Sequence, residues 1–176
     1  MILKTNARAL TLSLVAFLAV CCTACGVYSF TGTSISPDIK TISIQNFENS
    51  SGEGPSNLTQ VVTNNFKNYY QRNTNLTVLQ RDGDLQLEGQ IISFTLTPAA
   101  VQRDGNIDQA TLNRLTLGVQ IRFTNTKDPE QDFDQQFTIT QDFSQDVDIT
   151  RIPPASIEQM TERLVADVFN KTVANW

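Results

Sequence analysis

The chain has 176 residues, with 13 Lys and Arg against 18 Asp and Glu and no histidine. The acid excess argues against nonspecific nucleic-acid binding, which depends on neutralising phosphates with basic side chains. All three cysteines precede residue 26, so the chain lacks the four Cys or His ligands of a structural zinc site, and it lacks a histidine to activate a nucleophile.

The first element is an export signal. Lys4 and Arg8 are the only charges before the apolar run LTLSLVAFLAV at residues 10–20, which is too short to span a bilayer and of the right length for a signal-peptide core. Thr23 and Ala24 then precede Cys25, and Gly26 follows. Small residues before a cysteine mark a bacterial lipoprotein cleavage site, so residues 1–24 are expected to be removed and Cys25 to carry the lipid. A metal or redox role for the C-C-x-x-C cluster lacks further ligands. The signal holds two of the basic residues and no acid, leaving eleven positive against eighteen negative charges. Lipidation would consume the last cysteine, so no disulfide is expected, and stable anchoring requires more than one acyl chain.

Residues 25–39 then read as a lipid-anchored N-terminal segment, and residues 40–176 as one domain, a length sufficient for a single core. In KTISIQNF, residues 40–47, Ile42 and Ile44 alternate with polar neighbours as in a half-buried strand. ENSSGEGPS follows as a loop, and Pro55 suits the first turn of a helix. Leu58, Val61, Val62, Phe66, Tyr69 and Tyr70 recur at three and four residues, giving an amphipathic helix. NLTVLQ at 75–80 is a second strand, which makes a strand–helix–strand unit with a right-handed crossover expected.

Three long strands come next. Apolar residues at 85, 87 and 91, then at 92, 94 and 96, slip phase beside Gly89, and a bulge explains the slip. Leu115, Leu117, Val119, Ile121 and Phe123 alternate with Thr116, Gly118, Gln120, Arg122 and Thr124. Phe133, Phe137, Ile139 and Phe143 keep the same period across the KDPE turn, as in an antiparallel hairpin. Pro153 and Pro154 then halt the chain, Ser156 and Gln159 read as a capping box, and Ile157, Met160, Leu164, Val168 and Phe169 form the stripe of a last helix. The predicted fold is an α+β two-layer sandwich, with a mostly antiparallel four- to five-stranded sheet and both helices packed on one face.

Chemistry is sparse. No serine sits in a nucleophile elbow, and the acids at 82–84, 132–134 and 142–148 lack the ligand spacing of a calcium loop. They read as solvated turns and strand ends. Gly52-Glu53-Gly54 lacks the remainder of a phosphate loop. The aromatic residues fall at core spacing. No catalytic residue, metal site or cofactor is expected.

Taken in order, Cys25-Gly26-Val27-Tyr28-Ser29-Phe30, ISIQNFEN (42–49), LEGQI (87–91), RLTLGVQIRFTN (114–125) and the final helix resemble the LptE family of lipopolysaccharide-assembly lipoproteins, in its Bacteroidetes form. The resemblance implies a non-enzymatic lipoprotein on the periplasmic side of the outer membrane. It would plug the LptD-type β-barrel, assist its assembly and help place lipopolysaccharide in the outer leaflet. It also implies lipopolysaccharide contact through a basic hairpin tip, which matches Arg103-Asp104-Gly105, and through a basic position before the last helix, which matches Arg151 loosely. A guanidinium suits bidentate bonding to a lipid phosphate, although Asp104, Asp108, Asp146 and Asp148 dilute the patch. The competing reading is a periplasmic lipoprotein adaptor that docks on and regulates a cell-envelope enzyme, and it would need an exposed apolar surface.

Overall fold

The computed structural model describes residues 35–104 and 107–173, with side chains described outside 100–111. Six strands and two α-helices follow in the order β1 (Thr41–Ile44), β2 (Glu48–Asn49), α1 (Leu58–Asn73), β3 (Thr77–Leu79), β4 (Leu85–Asp104), β5 (Ile107–Asn125), β6 (Phe133–Ser144) and α2 (Pro154–Thr172). Short 3-10 turns at Pro129–Gln131 and Ile149–Arg151 flank β6. The signal segment and Cys25 lie outside the described residues.

The sheet runs β3-β1-β4-β5-β6, with β2 also paired to β4. β1 pairs in parallel with both β3 and β4, and β2 pairs in parallel with β4. Only β4–β5 and β5–β6 are antiparallel. The fold is α+β as expected, but the sheet is mixed and six-stranded rather than mostly antiparallel with four or five strands. The reason is local. The α1 crossover returns β3 to one side of β1 while the next turn places β4 on its other side. β2 carries only two exposed polar residues, Glu48 and Asn49, and so has no apolar alternation to reveal it.

Consecutive burial of Ile42, Ser43 and Ile44 fits a short strand between two parallel neighbours. In β4 the register shifts between Ile91 and Ser93, the predicted bulge, and the inward set continues at Phe94. Gly89 is where Phe47 lies down on the sheet: a Cβ there would meet the phenyl ring at 2.0 Å. The Phe47 ring also packs on Phe66 of α1, with centroids 4.6 Å apart. Its backbone N–H donates to the buried Thr63 hydroxyl, which in turn donates to the Thr59 carbonyl. One aromatic residue thus ties α1 to the sheet.

Leu58, Val62, Phe66 and Tyr70 are buried along α1, and the helix itself begins at Leu58, after Pro55 rather than around it. The Pro55 carbonyl instead accepts the Leu58 N–H in the turn that leads in. The expected capping box is absent from α2. The helix starts at Pro154 behind Pro153, with no side-chain cap, and Ser156 already donates its N–H to the Pro153 carbonyl inside the first turn. Proline at the first helical position supplies a preset φ and leaves no N–H to cap. The α2 stripe holds all five predicted residues and adds Thr161, Val165 and Thr172. Buried residues of both helices and of the inward sheet face form one core cluster.

Candidate functional site

The outward sheet face carries the polar residues of the alternating strands, and their side chains satisfy one another in two clusters. In the first, Gln45 of the segment after β1 donates to Glu88 of β4 at 2.6 Å. Arg122 of β5 reaches Asp134 of β6 through Nε and Nη2 at 3.2 Å each, and its Nη1 lies 3.8 Å from Glu88. Gln120 donates to the other Asp134 oxygen at 2.5 Å. That bond, followed by those from Arg122, holds the Asp134 carboxyl below its usual range. These residues line an open groove of about 270 Å³ with Gln90 and Glu48. Period two puts the strand residues among them on one face.

The second cluster is a fork. Arg114 of β5 donates Nε and Nη2 to the two oxygens of Asp142 at 2.7 and 2.9 Å. The two residues are direct cross-strand partners. The guanidinium holds the Asp142 carboxyl down, and the carboxylate raises the arginine in return. Arg122 and Asp134 are likewise opposite in register, so each arginine of β5 fixes the alignment of β6. None of these pairs is legible in the sequence, because only the strand register brings the partners opposite one another. A signal was present nonetheless: arginine and aspartate occupy polar positions of two strands joined by a short turn.

A third feature closes the opposite end of the sheet. Asp84, at the start of β4, accepts the backbone N–H groups of Lys40 and Thr41 at 3.0 and 3.1 Å and the Thr41 hydroxyl at 2.9 Å. Lys127 Nζ lies 3.4 Å away, and the Asp84 carbonyl accepts both N–H and hydroxyl of Thr126. The Lys40 amide, then the Thr41 hydroxyl, push its carboxyl down to about 2. Asp84 thus stands at a strand end, as the acid cluster suggested, but its carboxylate is bonded to the start of β1 instead of being left to solvent.

The sequence-predicted site residues lie elsewhere. Arg103 is in the last rungs of the β4–β5 hairpin, opposite Asp108, and its side chain is outside those described. β6 pairs β5 only as far as Leu112, and β1 and β2 pair β4 only as far as Ile91. The rungs carrying Arg103 thus form a two-stranded arm with no third strand among the described residues. Arg151 ends the 3-10 turn between β6 and α2 and is exposed. The Thr150 N–H and then its hydroxyl hold the Asp148 carboxyl below its usual range, and the Arg151 charge adds to them. Chain direction sets both arginines toward the same end of the sheet. Among the described residues no cluster of His, Cys, Asp or Glu is arranged to hold a metal.

A protein from Xanthomonas campestris of known crystal structure shares the fold, with a TM-score of 0.52 at 11% identity over 76% of this chain and 86% of that one. The chain is also similar to the rare lipoprotein B of Shewanella oneidensis (TM-score 0.47, 14% identity, 72% and 91% covered). Lipoprotein B of Nitrosomonas europaea gives a TM-score of 0.48 at 11% identity, with 74% and 79% covered. No curated protein sequence matches. The model of the family described as LptE, lipopolysaccharide-assembly, matches residues 39–172, most of the chain, and the protein is a member of that family.

Proposed function

We propose that this protein is an outer-membrane lipoprotein, anchored through Cys25 on the periplasmic side, that plugs an LptD-type β-barrel, assists its assembly and helps place lipopolysaccharide in the outer leaflet. Family membership over residues 39–172 supports the lipopolysaccharide-assembly role. The observation that carries the plug reading is the outward sheet face. Among the described side chains its arginines, Arg114 and Arg122, are each matched to a carboxylate of the adjacent strand, and the rest is mainly Gln, Thr and Ser, with Glu48 and Glu88 in the groove. Such a face suits a water-lined interior, which is polar in barrels with an aqueous lumen, and it presents little free charge to disturb a passing anionic lipid. Packing of both helices on the inward face as a second layer leaves the outward face open.

The role is non-enzymatic in this reading. Arg103, on the two-stranded arm, and Arg151 are the proposed contacts for a lipid phosphate. The adaptor reading is less favoured, since the only large apolar side chains well exposed among the described residues are Leu79 and Leu112, and two isolated residues do not make a docking patch. Depleting the protein tests the proposal: folded barrel and surface lipopolysaccharide should both fall. Undiminished lipopolysaccharide at the cell surface after depletion would overturn it.

A further inference from the structure

β6 is the last strand of the sheet, with β5 on one side and no strand on the other among the described residues. Its twelve residues, FDQQFTITQDFS, pair with β5 without a register shift and contain no proline or lysine. Natural edge strands are ordinarily guarded by lysine, proline or bulges against pairing with another chain. The free side of β4 has such guards, Pro98 and two register shifts around Ala100. β6 has none, and its only charges, Asp134 and Asp142, are engaged by β5 arginines.

The sequence of β6 also reads nearly the same from either end. About Thr138, Ile139 mirrors Phe137, Thr140 mirrors Gln136, Gln141 mirrors Gln135, Asp142 mirrors Asp134 and Phe143 mirrors Phe133. Opposite residues in an antiparallel pair lie on the same face. A second β6 laid against the first with Thr138 opposite Thr138 therefore keeps both apolar faces on one side, with Phe133 against Phe143 and Phe137 against Ile139. Phe133, Phe137 and Phe143 are only partly covered in the single chain, and aromatic or aromatic–β-branched cross-strand pairs are favourable. The same register sets Gln135 opposite Gln141, whose Oε1 is buried without a hydrogen-bond partner in the single chain. Asp134 opposite Asp142 is the one like-charge combination, met twice by the two-fold, and Arg122 and Arg114 already engage those carboxylates.

We propose that β6 is a self-recognition edge, through which two copies of this chain join their sheets in a two-fold antiparallel pair centred on Thr138. The contact is isologous and closed, so it yields a dimer rather than a fibre. It covers the unguarded edge that β6 presents.

Cysteine cross-linking of the purified full chain in detergent tests the register. Opposite residues in an antiparallel pair have Cα atoms about 4.5–5.5 Å apart, within disulfide reach. Thr138→Cys should oxidise to a dimer well above the background of the unsubstituted chain, whose cysteines all precede residue 26. Gln136→Cys alone should not exceed that background, whereas a mixture of Gln136→Cys and Thr140→Cys should. Sedimentation provides a second reading, with two chains for the wild type and one for Thr138→Lys of unchanged circular dichroism. A single-chain mass for the wild type, or equal cross-linking of Thr138→Cys and Gln136→Cys, would overturn the proposal.

Discussion

The hydroxyls of Tyr70 and Thr172 meet at 2.5 Å inside the core, although the residues lie 102 positions apart, and they join the middle of the fold to its last helix. The ring of Phe169 stands edge-on to Tyr70, with centroids 5.1 Å apart, and does the same to Tyr69. Burial pushes the phenol far above its ordinary range, so it stays a neutral hydrogen-bonding group. Thr172 also donates to the Phe169 carbonyl at 3.1 Å and retains that partner if the phenol is removed. Tyr70→Phe should therefore cost about 0.5–1.5 kcal/mol, one net hydrogen bond. Phe169→Ala, which removes the ring between both tyrosines, should cost about 3–5 kcal/mol. Urea denaturation of the three proteins gives this ranking directly.

Two glycines leave no free space for a Cβ, Gly83 against backbone and Gly89 against a side chain. A Cβ on Gly83 would fall 2.5 Å from the Ser43 backbone nitrogen and 2.7 Å from the Leu85 carbonyl oxygen, and neither can move without breaking β1–β4 pairing. Gly83→Ala should destabilise by about 3 kcal/mol or more, at or beyond the upper end of overpacking costs. Gly89→Ala instead displaces the Phe47 ring, and a Phe47→Ala background should relieve part of its effect. A double-mutant cycle of melting curves checks the coupling.

Acid should weaken the end of the sheet held by Asp84. Its folded-state value of about 2 lies below the ordinary value of 3.8. The carboxylate thus contributes stability in full above the unfolded value, and loses it as pH falls from about 4 to about 2. Asp134, Asp142 and Asp148 shift in the same direction and lose their contributions in the same sense. Asp84→Asn should be less stable than wild type at pH 7, and the gap should narrow as pH drops through that window. Denaturant midpoints at about pH 7, 4 and 2.5 span the window, and a gap that widens on acidification would refute the assignment.

Cys25→Ser should leave the α+β domain folded, with wild-type circular dichroism, and release it from washed membranes. Persistent membrane retention of the unlipidated chain would contradict the anchor.

Arg103→Asp should lower binding of lipopolysaccharide several-fold with an unchanged melting temperature. Arg151→Asp should have a smaller effect, since Asp146 and Asp148 already surround that turn. Titration with purified lipopolysaccharide separates the two.

Period two and period 3.6 located both helices and every strand but β2, since the helices and the three long strands each bury one apolar face, while β1 and β3 stand out as short apolar runs, β3 within NLTVLQ at 75–80. Ile91-Ile92 beside Gly89 announced its bulge for the same reason: on a strand with one buried face, a slip of phase requires an extra residue. β2 escaped because two exposed polar residues have no face to bury, and the far rungs of the β4–β5 hairpin lie beyond the alternation at 85–96 and 115–123, so that its tip at Arg103-Asp104-Gly105 came from family resemblance alone. The capping box failed on a local competition. Ser156 and Gln159 have the right spacing, but Pro153 and Pro154 start the helix earlier. Asp84 and the arginine–aspartate pairs depend on partners that only the folded register brings near, Thr41 being 43 residues from Asp84. Arg103 and Arg151 came from family resemblance, and no periodicity points to them.

The most direct test of a barrel partner is a mild-detergent pull-down of the tagged full chain from outer membranes, followed by mass spectrometry of what stays bound. A plug predicts a large β-barrel protein in roughly one-to-one amount with the bait. Recovery of a periplasmic enzyme with no barrel would contradict it and leave the family likeness describing a fold put to another use.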